Sequence, residues 1–382
     1  MFLRSGKLLL IFLTLLLIPS IVSCHQDITA PPPPTPDPKW ESIPLFSNLD
    51  IRYITFFDDA MYVSAVAIAG SDHAEGKSVI YRSADGNNWE LIKTFSIDAG
   101  PMTLHGDTLF VITGDSIYSY NRYTGWRPRY KTPDRLVWPG SVGDIVFIDD
   151  NLYAMQTLYT SSLETYRIYP DGSNVEVKGK YGTMSLAGAK FIKLIRNGKE
   201  YIYVRPQWNG YTMYKFDGDL YSLADKGLTA RELTSSSPTN SMIVHNDTLF
   251  ASFQYPANVK YLDDNEIWQP YSDTLPLSRS YLLINPHPWT QTTALAFVGE
   301  RLFVATDIIG IVEWKRNNTW KRYTKGLVLS ALGNNELNDL FNPVVFLEYY
   351  KGSLYAGYGI PGYAPWGASQ GGGHGLYKYK ID

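Results

Sequence analysis

The sequence predicts an all-β chain, a seven-bladed β-propeller whose last blade is closed by the chain's own N-terminal strand. Three observations predict it. A phrase of turn residues followed by an apolar and aromatic pair recurs along the chain at intervals of about 43–53 residues, the size of a four-stranded propeller blade. Between copies, apolar and polar residues alternate with the period of two that marks half-buried antiparallel strands. The first and last copies are ragged in complementary ways.

The phrase reads DDAMYV (58–63), HGDTLFV (105–111), DDNLYA (149–154), NGKEYIYV (197–204), HNDTLFA (245–251), VGERLFV (298–304) and YKGSLYA (350–356). Its aromatics are Tyr62, Phe110, Tyr153, Tyr203, Phe250, Phe303 and Tyr355. An apolar strand precedes each turn, as in YITFF (53–57), IVFI (145–148) and LAFV (295–298). A third strand follows, as in VIYRS (79–83), SIYSY (116–120) and GLYKY (375–379). Several fourth strands open on Trp, at Trp89, Trp126, Trp268 and Trp320. The seventh copy ends at Asp382 without a fourth strand, while WESIPLF at Trp40 resembles WELIKTF at Trp89. Pairing those ends closes the ring and leaves no open sheet edge. A misreading of the weaker third and fourth copies would make six or eight blades. The paired Asp, Asn and Gly residues of the phrase supply hairpin geometry, so they are read as turns and not as a metal site.

Ahead of the repeats lies an export signal. Arg4 and Lys7 precede an apolar run from Leu8 to Ile18, too short and wrongly flanked for a stable span. Ile21-Val22-Ser23-Cys24 resembles a lipobox, and Cys24 is the single cysteine of the chain. A lone thiol in an exported protein is otherwise unexplained, and acylation of Cys24 explains it. The absence of Asp after Cys24 points to outer-membrane attachment, on the periplasmic or cell-surface face. The segment 25–39 carries six prolines and reads as a polyproline spacer. The domain plan is therefore a signal peptide over 1–23, a lipidated Cys with a Pro-rich linker over 24–39, and the propeller over 40–382.

Function is less legible. A formal charge of −3 gives no electrostatic footprint for nucleic acid. The six histidines form no zinc-binding pair; His105 and His245 read as solvated hairpin residues. No G-x-S-x-G elbow is present, and Gly371-Gly372-Gly373 lacks the helix start of a phosphate cradle. No cofactor and no metal is implied.

Ser83, Asp85, Gly86 and Trp89 form S-x-D-G-x-x-W, which resembles the Asp-box (BNR repeat) of sialidase-type propellers. The chain thus resembles an Asp-box propeller lipoprotein of Gram-negative bacteria. That resemblance implies a peripheral structural corner: Ser and Asp bond turn amides, Gly permits the tight backbone and Trp packs between sheets. Sialidase activity would need an arginine triad, a Tyr–Glu nucleophile pair and an acid. The early Phe/Tyr-Arg-Ile-Pro signature is missing: Arg52 lacks the Ile-Pro, and Arg205-Pro206 falls in the fourth copy. No catalytic residue is carried over.

Loops joining second to third strands, and fourth strands to the next blade, share one face of a propeller, and long loops on a rigid scaffold carry function. Trp138, Trp208, Trp289 and Trp366 all fall there, with Tyr159, Tyr255, Tyr358 and Tyr363. Arg135, Arg205, Arg279, His287 and His374 join them. They form a candidate aromatic patch for a glycan or an envelope protein; the alternative is that these rings tuck down their own loops. The expectation is a binding protein without catalysis, attached to the membrane through Cys24. A glycan-active enzyme drawing on Asp72, Glu75, Asp134, Glu164 or Asp307 is the second reading.

Overall fold

A computed structural model describes residues 38–67, 77–96, 99–113, 116–131, 142–156, 164–171, 173–177, 190–205, 213–233, 242–254, 257–275, 292–306, 309–328, 344–359 and 374–381. They form seven four-stranded antiparallel sheets. The inner strands are Leu49–Phe57, Ala99–His105, Val142–Ile148, Lys190–Arg196, Met242–His245, Thr292–Val298 and Phe346–Tyr350, one for each of blades 1 to 7. Neighbouring inner strands contact one another in sequence, and that of blade 7 contacts blade 1. The fold is a seven-bladed β-propeller.

The seventh sheet is completed from the other end of the chain. Glu41–Ser42 pairs with the third strand of that blade, Gly375–Lys380, through Glu41 opposite Lys378 and Ser42 opposite Tyr377. Trp40 sets this register. Its indole NH donates to Tyr323 O at 2.9 Å, its ring lies 5.2 Å from that of Tyr379, and it is 2% exposed. Gly326 permits the approach, because a β-carbon there would stand 2.3 Å from Trp40 O.

The hairpins obey their residues. Asp58 and Asp59, Asp149 and Asp150, Asn197 and Gly198, Asn246 and Asp247, and Lys351 and Gly352 all have positive φ at both central positions. That is the primed turn whose twist matches antiparallel strands. All seven recurring aromatics are buried. Each fills the space between two sheets, where removing such a side chain from water is worth about 1.5–3 kcal/mol.

Two histidines correct the sequence reading. His105 and His245 end inner strands and stack on Phe147 and Phe297 of the following blades, with ring centroids 4.3 and 4.2 Å apart. Tyr350 stacks on Phe56 in the same position across the closure. Tyr358 is a second correction: it is 1% exposed, takes a hydrogen bond from Val328 N and belongs to the core. The strand Ser353–Tyr358 is buried along its whole length, its last residue included.

One helical turn, Ala230–Leu233, interrupts the link between blades 4 and 5. Thr229 and Glu232 cap it reciprocally: Thr229 N donates to Glu232 Oε2 at 2.8 Å and Glu232 N to Thr229 Oγ1 at 3.2 Å. Lys260 of blade 5 donates to the same carboxylate at 2.8 Å, with both side chains buried. A buried ion pair thus ties the link to the blade it enters.

The S-x-D-G-x-x-W corner is a seam between blades 1 and 7. Asp85 Oδ1 accepts from Asn87 N and Asn88 N, both at 2.8 Å, and Gly86 N donates to Ser83 Oγ at 2.8 Å. The Asn88 and Asn87 amides hold the Asp85 carboxyl well below the usual carboxylate range. Tyr355 Oη donates to Gly86 O at 3.1 Å, and Tyr350 Oη donates to Ala84 O at 2.9 Å. Trp89 packs edge-on against Phe46, centroids 4.9 Å apart. Blade 4 repeats the device more weakly: a β-carbon on Gly218 would lie 3.1 Å from Tyr153 Oη of blade 3.

Candidate functional site in the central channel

Inner strands of a propeller border its axis, so a charge on one of them meets charges from other blades. Four such residues stand out: Tyr53 of blade 1, Asp144 of blade 3, Lys190 of blade 4 and Glu348 of blade 7.

Tyr53 and Asp144 each stand four residues before the last paired residue of their strands, Phe57 and Ile148. They therefore sit at one height. Tyr53 Oη donates to Asp144 Oδ1 at 2.8 Å, passing the inner strand of blade 2, which has the small Gly100 and Pro101 near that height. Ile145 N donates to the same oxygen at 2.9 Å, and Phe191 N of blade 4 to Oδ2 at 2.8 Å. One carboxylate thus links blades 1, 3 and 4. Burial pushes Asp144 up to about 6, against the Lys190 charge and these hydrogen bonds. Burial, with the Asp144 charge, raises the Tyr53 phenol well above its usual value.

A cavity of about 230 Å³ opens among the inner strands of blades 4 to 7. Phe191, Met242, Leu295 and Phe346 border it, with their side chains buried in the clusters between blades, and Lys190, Lys193 and Glu348 supply charge. Lys193 is engaged, 2.9 Å from Glu200. Lys190 and Glu348 are different. Among the described residues, neither the Lys190 ammonium nor the Glu348 carboxylate has a hydrogen-bond or ion-pair partner. Burial pushes Glu348 up to about 7, tempered by the Lys190 charge. The site offers opposite charges that are not in ion-pair contact.

Besides the core residue Tyr358, His374 is the candidate of the loop-face patch whose side chain is described. Its Nδ1 lies 2.6 Å from Asp50 Oδ1, so it joins blade 7 to the start of the blade 1 inner strand. Arg205 is described by its backbone and pairs with Lys190, which puts it at the loop end of blade 4. Trp138, Trp208, Trp289, Trp366, Tyr159, Tyr255, Tyr363, Arg135, Arg279 and His287 lie outside the described residues, as does Cys24. So do the acids Asp72, Glu75, Asp134 and Asp307, while Glu164 is described by its backbone in the strand Glu164–Ile168.

Sequence reasoning passed over Tyr53, Asp144, Lys190 and Glu348. For Asp144 and Glu348 the signal was an acid inside an otherwise apolar inner strand, as in VGDIVFI and FLEYY; Tyr53 and Lys190 gave none. The ring is what makes them a cluster.

No protein-family model and no curated protein matches the chain. Solved structures do. YCF48 bound to a D1 peptide gives a TM-score of 0.54 at 10% identity, over 92% of this chain and 96% of that one. The extracellular domain of the hybrid two-component system BT4673 from B. thetaiotaomicron gives 0.54 at 11% identity, over 89% of this chain and 39% of that one. These likenesses show the propeller fold.

Proposed function

We propose that this chain is an envelope lipoprotein that binds a protein or glycan partner at the loop face of its propeller and performs no chemistry on it. Acyl chains on Cys24 hold it at the outer membrane, and the proline-rich segment 25–39 spaces the propeller from the bilayer. The observation that carries the binding reading is the channel cavity, bordered by the half-buried Lys190 and Glu348, which among the described residues have no hydrogen-bond or ion-pair partner, whereas the buried Lys260 and Glu313 are paired with Glu232 and Arg301. Half-buried charges without partners in a concave site are available to the polar groups of a ligand. The peptide held by YCF48, a propeller of similar build, supports a peptide segment as partner. The aromatic residues Trp138, Trp208, Trp289 and Trp366 would supply contact area around the mouth.

The test uses the full chain in detergent, with Trp138→Ala and Trp366→Ala beside it, on a glycan array and on solubilised envelope protein. Binding by the wild type that both variants weaken, at unchanged melting temperature, supports the reading. No binding on either arm contradicts it.

One observation favours a second reading. Asp144 and Glu348 are carboxyls bordering one channel and are pushed up to about 6 and about 7, near the range a general acid needs. Turnover of an envelope glycan, abolished by Asp144→Asn or Glu348→Gln, would establish a glycan-active enzyme instead.

A further inference from the structure

We infer that the outer rim of blades 6 and 7 is a docking surface for anionic phospholipid headgroups, so that the propeller stands edge-on against the bilayer that holds its anchor. The inference rests on the reading of Cys24 as a lipid anchor and adds which side of the domain turns to the membrane.

Charge is unevenly placed around the rim. The chain carries a formal −3 overall, yet no acid occurs between Glu313 and Glu336, where Lys315, Arg316, Lys321, Arg322 and Lys325 stand. They belong to the outer strand of blade 6, Trp320–Tyr323, and the turns beside it, and every one is exposed. Blade 7 adds Lys39 and Lys380, also exposed. The nearby acids are engaged. Glu313 is buried with Arg301 and Lys315, Asp273 accepts from Trp314 Nε1 and Asn318 N at 2.9 and 2.7 Å, and Glu41 stands opposite Lys378. Across the ring the sign changes: Asp171 of blade 3, Asp217 and Asp219 of blade 4 and Asp264 of blade 5 are all exposed. Blade 1 is mixed, with Asp85 and Glu90 exposed, and blade 2 is basic again through Arg122, Arg127 and Arg129.

Trp40 gathers the basic residues of the two blades at one seam. Its backbone N donates to Lys325 O at 2.9 Å, its indole NH donates to Tyr323 O, and its ring packs on Tyr379, the residue before Lys380. Lys321 lies over the Tyr323 ring, its Nζ 4.9 Å from the centroid. Lys39 directly precedes Trp40, so the chain from Cys24 enters the propeller at this seam. That entry point selects the partner. The segment 25–39 reaches roughly 45 Å as polyproline II at about 3.1 Å per residue, which sets a greatest height for the propeller and not a fixed one. Tethering keeps the rim at high local concentration over the headgroups. Each Lys or Arg brought near an anionic surface strengthens attachment about fivefold, within a Debye length of about 8–10 Å. The acidic blades are repelled from the same surface. Edge-on docking leaves both mouths of the channel open to the side, so the loop face stays accessible.

The experiment reconstitutes the lipidated chain into vesicles of phosphatidylcholine, with and without phosphatidylglycerol. A fluorophore is placed on Thr319→Cys at the blade 6 rim, or on Ser222→Cys at the blade 4 rim, both exposed, and is read against a headgroup-borne quencher. With phosphatidylglycerol, quenching is expected at position 319 and not at position 222, and high salt should release it. Lys321→Gln, Arg322→Gln and Lys380→Gln together should lower the docked-to-free ratio about a hundredfold, at about fivefold for each charge. Melting curves establish that each variant folds. Equal quenching at the two positions overturns the inference, as does quenching at position 319 that ignores lipid charge or survives the triple change. Flotation separates this outcome from the fate of the anchor. A chain that floats with neutral vesicles but shows no quenching at position 319 with either lipid overturns the docking and leaves the anchor standing. A chain that floats only with phosphatidylglycerol contradicts the anchor and supports the basic rim.

Discussion

Tyr53 of blade 1 donates a hydrogen bond to Asp144 of blade 3 at 2.8 Å, so two blades that are not neighbours are tied beside the channel axis. Asp144 also accepts from Phe191 N of blade 4. Aromatic packing such as Phe110 with Phe147 and Phe250 with Phe297 runs between neighbouring blades. The bond is therefore a clamp on the ring as well as a feature of its channel.

Removing the clamp should cost stability without changing the fold. Tyr53→Phe takes away a hydrogen bond to a charged group, worth about 1.5–3 kcal/mol. Urea titration should show a lower midpoint at an unchanged slope. Because the tyrosine bond lowers the Asp144 pKa, the variant should titrate this carboxyl above about 6. An unchanged midpoint would show that the bond does not clamp the ring.

The two channel carboxyls set a pH dependence of unusual sign for acids. Asp144 is raised from 3.8 to about 6, and Glu348 from 4.5 to about 7, so both hold protons in the folded state that the unfolded chain has released. Their contribution is fully present below the unfolded values and is lost as pH rises through the folded ones. Glu313 acts in the opposite sense. Burial pushes it up, but Arg301, Lys315 and Tyr323 overcome that and bring it to about 2 from 4.5. Its stabilisation is present above 4.5 and is lost as pH falls towards 2. Between pH 4 and 6, Asp144→Asn should flatten a decline on the order of 2–3 kcal/mol in stability, measured by denaturation at stepped pH. A wild-type curve that rises through this window would contradict the assignment.

The seam between the first and last blades has a steric test. A β-carbon on Gly86 would stand 1.8 Å from Tyr355 Oη, on a backbone with φ of +72°. Gly198 has φ of +73° and nothing within 4 Å, so Gly198→Ala isolates the backbone cost. That cost is about 1 kcal/mol, and Gly86→Ala should exceed it by at least about 1–2 kcal/mol. Adding Tyr355→Ala should recover part of the excess, read as coupling in a double-mutant cycle. Equal losses for the two glycines would show that the seam is open.

Lys260 and Glu232 should behave as a buried pair. Lys260→Met or Glu232→Gln alone leaves a buried group without its partner and should cost about 3–5 kcal/mol. The double variant should cost less than either single change. Additive losses would mean that the two charges do not meet.

The repeated phrase was legible because its causes are local. Asp, Asn and Gly set the hairpins, and alternation sets which side of each sheet is buried. Ring closure was legible too, since Trp40 supplies what the seventh copy lacks. The Ser83, Asp85 and Gly86 corner could be read as a turn, but not as a seam. Its partner Tyr355 is 269 residues away and reaches it only because the ring closes. The channel escaped sequence reasoning for the same reason. Asp144 and Tyr53 meet through equal distance from their hairpins, which no single strand reveals. His105 and His245 were misread because a hairpin neighbour was taken to be solvated, when the next blade offers each a phenylalanine face.

The proposed binding brings partners to the loop face and not to the hairpin face. A photo-crosslinking amino acid placed at Trp366, and separately at Tyr123, tests it in intact cells. Tyr123 is 84% exposed at a corner of blade 2 beside the Asp58 hairpin, where Arg122 of the same turn meets Asp58 at 3.2 Å. Adducts from position 366 with none from position 123 are the predicted result; adducts from position 123 alone would contradict it.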